Sequence, residues 1–65
     1  MIKFIHIVSI HGNEVLINIE DIVSVEGGIS VNYTFINLRN GSDIRTETSV
    51  FNIKELIKQA QIGRR

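Results

Sequence analysis

The chain has 65 residues, seven basic and seven acidic side chains, a formal net charge of zero and 43% apolar residues. That balance gives no global field to draw the protein onto nucleic acid or an anionic membrane, and the apolar content exceeds that of a disordered tail. Cysteine is absent, so neither a disulfide nor a thiolate metal site can support a core that, at this length, supplies only about 3–5 kcal/mol.

The first ten residues, Met1 to Ile10, are apolar but interrupted by His6 and Ser9. They lack a small-residue cleavage site, and no later run approaches the roughly 20 apolar residues of a membrane helix. These features point to a cytoplasmic, soluble protein with no membrane partner.

Thirteen isoleucines and six valines favour strands, because β-branched side chains are stiff and fit a pleated surface. Two such runs, 2–10 and 15–19, flank His11-Gly12-Asn13-Glu14. Read as a hairpin with Gly12 and Asn13 as a two-residue turn, they place Ile10 opposite Val15, Val8 opposite Ile17 and His6 opposite Ile19. Phe4, His6, Val8, Ile10, Val15, Ile17 and Ile19 then share one face. Ile5, Ile7, Ser9, His11, Glu14, Leu16 and Asn18 share the other.

A third strand fits Ile22–Glu26, after the acidic corner Glu20-Asp21 and before Gly27-Gly28. Runs at Tyr33–Leu38 and Asp43–Thr48 form a second hairpin. A two-residue Asn40-Gly41 turn would mix Ile36 and Leu38 with Asp43, Arg45 and Glu47. A three-residue loop, Arg39-Asn40-Gly41, instead puts Thr34, Ile36, Leu38, Ile44 and Thr46 on one face, with Gly41 in the left-handed position of a G1-type bulge. Tyr33, Phe35, Asn37, Asp43, Arg45 and Glu47 take the opposite face.

The period changes near the end. Ile53, Leu56, Ile57 and Ala60 form one helical stripe, which predicts a helix over about 50–62. Asn52 and Glu55 have capping-box spacing, Phe51 and Leu56 that of a hydrophobic staple, and Ser49 is a competing cap one turn earlier. Gly63 is placed for a C-terminal stop. The predicted architecture is therefore α+β and mostly β. Two antiparallel hairpins and one strand form a small sheet, with one C-terminal helix packed on it, in a single domain over 1–65.

Catalytic and metal chemistry find little support. His6 and His11 have opposite strand parity, so they cannot share a metal, and His11 with Glu14 reads as a turn-stabilising pair. Gly27-Gly28 lacks the lysine of a phosphate loop. No cofactor and no enzymatic activity are expected. The outer face of the second hairpin is more informative. Tyr33, Phe35, Asn37 and Arg45, with Arg39 at the loop, combine rings for stacking with groups that hydrogen-bond base edges or phosphate. With Ile5, Ile7 and Leu16 away from the helix, both sheet faces would be apolar, and self-association is the simplest way to cover the second.

Two resemblances extend this reading. Ile19-Glu20-Asp21-Ile22-Val23-Ser24-Val25-Glu26, Tyr33 through Gly41, and Ser49 through Ile57 resemble the first part of a LytTR-type DNA-binding domain, which implies a β-rich regulator contacting DNA through loops. The N-terminal Met1-Ile2-Lys3 strand, the glycine turn, the hairpin at Asn40-Gly41 and the short final helix resemble small FlbD-type flagellar proteins, which implies a non-catalytic accessory role. The leading expectation is a non-enzymatic interaction module, a homo-oligomer that takes a protein partner or ligand on its open sheet face. A reduced LytTR-like nucleic-acid-binding regulator and a nucleotide-sequestering protein are the alternatives.

Overall fold

Both hairpins turn on the same kind of loop. In the computed structural model, which describes residues 3–28 and 32–62, the Leu38 N–H donates to Ser42 O (2.9 Å) and the Gly41 N–H to Leu38 O (3.0 Å). In the first hairpin the Ser9 N–H donates to Asn13 O (2.8 Å) and the Gly12 N–H to Ser9 O (2.9 Å). Gly41 and Gly12 have φ of 93° and 85°, the left-handed geometry that closes a three-residue loop with a bulge. Side chains pin each loop. The Ser9 hydroxyl accepts from the His11 and Asn13 amides, and the Asn40 side-chain carbonyl accepts from the Ser42 amide.

The Arg39-Asn40-Gly41 loop and its two faces are as the sequence predicts. The first hairpin is not. Its loop is Ile10-His11-Gly12, so β1 (Phe4–Val8) meets β2 (Glu14–Asn18) with Ile5 opposite Ile17, His6 opposite Leu16 and Ile7 opposite Val15. Ile5 and Ile7 therefore face inward with Val15 and Ile17. Phe4, His6 and Val8 face outward with Glu14, Leu16 and Asn18. Both faces of this hairpin are apolar in sequence, so alternation could not choose between registers; the observed one buries Ile5, Ile7 and Ile17.

Asn18 ends β2 and caps a single 3-10 turn, Ile19–Asp21, by accepting from the Glu20 amide. β3 (Ile22–Gly27), β4 (Thr34–Leu38) and β5 (Asp43–Thr46) then form an antiparallel sheet in that order. A bulge between Ile22 and Ser24 leaves Val23 exposed and lets Ile22 and Val25, three residues apart, both reach the core.

The two sheets meet at one corner. Ser9 pairs with Thr46, the Ile10 N–H donates to Arg45 O (2.9 Å), and the buried Thr46 hydroxyl donates to Val8 O (2.7 Å). The helix α1 (Val50–Ile62) closes the opposite side, lying against β1 and β3. Ile53, fully buried, anchors it among Ile5, Ile7, Ile17 and Ile36. Leu56, Ile57 and Ala60 complete the predicted stripe. Lys3 reaches across to donate to Gln61 O (2.7 Å), placing a cation where the helix dipole is negative.

The cap of α1 is Ser49, whose hydroxyl accepts from the Asn52 amide (3.1 Å). The Asn52–Glu55 capping box and the Phe51–Leu56 staple are not formed, because helix begins before them and Phe51 is left 65% exposed. Gly63 and the tail Arg64-Arg65 lie outside the described residues.

Candidate binding surface

Antiparallel pairing turns alternate residues of β3, β4 and β5 away from the helix. Phe35 sits on that outer face between Glu26 of β3 and Arg45 of β5, and Asn37 sits between Ser24 and Asp43. The Arg45 guanidinium lies over the Phe35 ring, 5.5 Å from its centroid. Its Nε is 3.8 Å from Asp43 Oδ2, so a carboxylate holds the cation in place over the ring. Asn37 donates to the Ser24 hydroxyl (2.9 Å). Tyr33 stands just before β4 with 37% of its surface exposed.

Three of the five residues singled out in the sequence, Phe35, Asn37 and Arg45, thus share one face, and Tyr33 directly precedes β4. Arg39 is elsewhere. Its side chain donates to Glu20 O (2.6 Å) and approaches Asp21 Oδ1 (3.9 Å), while its backbone N–H donates to Asp21 O (2.8 Å). Arg39 clasps the second hairpin's turn to the Glu20-Asp21 corner.

A feature with no counterpart in the sequence adjoins Arg45. An open cleft of about 460 Å³ runs between the first hairpin's loop and the start of β5, its lining including Ser9, His11, Asn13, Val15, Asp43 and Arg45. It exists because the end of β1 meets β5, where Ser9 pairs with Thr46 far along the chain, a contact that leaves no local signal. The two histidines also part company. His6, not His11, pairs with Glu14 (Nε2 to Oε1, 3.2 Å), a consequence of the first hairpin's register.

Among the described residues, no group of three or more histidines, cysteines and carboxylates is placed to hold a metal ion, and no helix is long and apolar enough to cross a membrane. Compared with family models, curated proteins and solved structures, the chain has no significant match.

Proposed function

We propose that the protein is a non-enzymatic binding module that works as a homo-oligomer and takes its ligand or partner on the outer face of β3, β4 and β5. The observation that carries this reading is the Arg45 guanidinium held over Phe35 beside Asn37 and an open cleft. A stacked cation and ring fixed by cross-strand pairing lose little freedom on binding, so the face is preorganised. It offers a π surface, guanidinium donors and an amide at neighbouring positions.

That chemistry suits a planar, anionic ligand, and a nucleotide has both properties. Binding of a mononucleotide series, measured by calorimetry, tests the reading. Tyr33→Ala and Arg45→Ala should abolish binding while leaving the melting temperature within a few degrees of the parent. A large loss of stability in Tyr33→Ala would mark that residue as an interface or core element instead. A salt titration with oligonucleotides separates the nucleic-acid alternative, whose affinity should fall steeply with ionic strength.

A further inference from the structure

β2 pairs with β1 alone among the described residues, so its second edge is open. Which groups that edge presents follows from the register. The Ile19 N–H donates to Lys3 O (2.9 Å) at one end of the hairpin and the Ser9 N–H to Asn13 O at the other. Hydrogen-bonded pairs alternate along an antiparallel ladder, so Val15 and Ile17 spend their backbone groups on β1. Glu14, Leu16 and Asn18 turn theirs outward.

We propose that this edge is closed by a second copy of the chain, β2 pairing with β2 antiparallel about a two-fold axis through Leu16. The segment Glu14-Val15-Leu16-Ile17-Asn18 is self-complementary in this one register. Leu16 meets its symmetry mate, Glu14 meets Asn18, and Val15 meets Ile17. All five residues overlap, and the three outward-facing backbone positions fall opposite one another, where each can exchange hydrogen bonds. The charges agree as well: each Glu14 carboxylate faces an Asn18 amide rather than another carboxylate. On the outer face Leu16, 63% exposed, meets its mate at the seam, with the exposed Phe4 and Val8 one strand away on β1.

The other edge strands among the described residues are poorer partners: the end of β1 meets β5 through the Ser9–Thr46 bridge and the Ile10 N–H to Arg45 O bond, and β3 is irregular. β3 is broken by its bulge at Val23 and approaches the helix at Gly27, where an added Cβ would stand 3.0 Å from Val50. Bulges of this kind blunt an edge against pairing.

The inference rests on the homo-oligomer reading and names its surface. Sedimentation equilibrium of the full chain tests both, with three variants. The parent should be a dimer at micromolar concentration. Leu16→Lys, which sets two ammonium groups opposite each other at the axis, should be monomeric. Asn18→Asp keeps the acceptor for the Glu20 amide but opposes carboxylate to carboxylate twice, and should weaken dimerisation about tenfold or more. Adding Glu14→Lys to Asn18→Asp should restore it, which only a register facing residue 14 with residue 18 allows. Circular dichroism confirms that each variant is folded. A parent that is monomeric throughout overturns the oligomer reading and the seam together. A parent oligomer indifferent to all three variants overturns the β2 seam and leaves the oligomer.

Discussion

The Thr46 hydroxyl, wholly buried, donates to the Val8 carbonyl and accepts from the Thr48 amide (3.2 Å), tying the two sheets together at one side chain. A threonine at this position serves a strand on one side and a chain reversal into the helix on the other. Replacing it with valine keeps the volume and leaves the part-buried Val8 carbonyl and Thr48 amide without this partner. Thr46→Val should cost about 1–3 kcal/mol in urea denaturation, and Thr46→Ser should recover most of that loss.

The helix cap gives a second test. Ser49→Ala should destabilise by about 1 kcal/mol, whereas Phe51→Ala should change the urea midpoint little, within about 0.5 kcal/mol, since its ring packs on no staple partner. A reversed order would show that helix starts at Asn52 in solution. Either effect is small beside Ile53→Ala. Emptying that fully buried site should cost about 2–5 kcal/mol, enough to unfold a domain whose total is of the same size. Far-ultraviolet circular dichroism at 25 °C would register the loss directly.

Both loop glycines carry strain if replaced. Gly12→Ala and Gly41→Ala each place a Cβ in left-handed backbone, at about 1–2 kcal/mol. No neighbouring atom obstructs the new methyl group at either site, so the cost is conformational. Losses in both variants would support left-handed backbone at both glycines; a neutral Gly12→Ala would contradict it at Gly12.

Arg45 separates stability from binding. The guanidinium is exposed and its ion pair with Asp43 is a surface one, so Arg45→Ala should cost less than about 1 kcal/mol. Ligand affinity, measured on the same preparation, should fall much further. Parallel losses in both quantities would make the Phe35 platform a structural pair.

The second hairpin was legible because its two faces differ in chemistry: Thr34, Ile36 and Ile44 against Phe35, Asn37, Asp43 and Arg45. Only one loop length keeps them apart. That same segregation placed Phe35, Asn37 and Arg45 on one surface. The first hairpin lacked any such contrast, since Phe4 and Val8 are as apolar as Ile5 and Ile7. The αL glycine rule applied to Arg39-Asn40-Gly41 fits Ile10-His11-Gly12 equally well, and it was the available signal.

Local chemistry in the chain thus determined the strands, the second loop and the apolar stripe of the helix, because periodicity, turn glycines and capping residues act over a few positions. Tertiary structure decided which face of β1 is buried, where Ser49 starts the helix against β3, and how β1 reaches β5 to open a cleft beside Arg45. Those outcomes depend on burying Ile53 among residues brought from three strands, and such distant contacts compete on free energy that no short window of sequence contains.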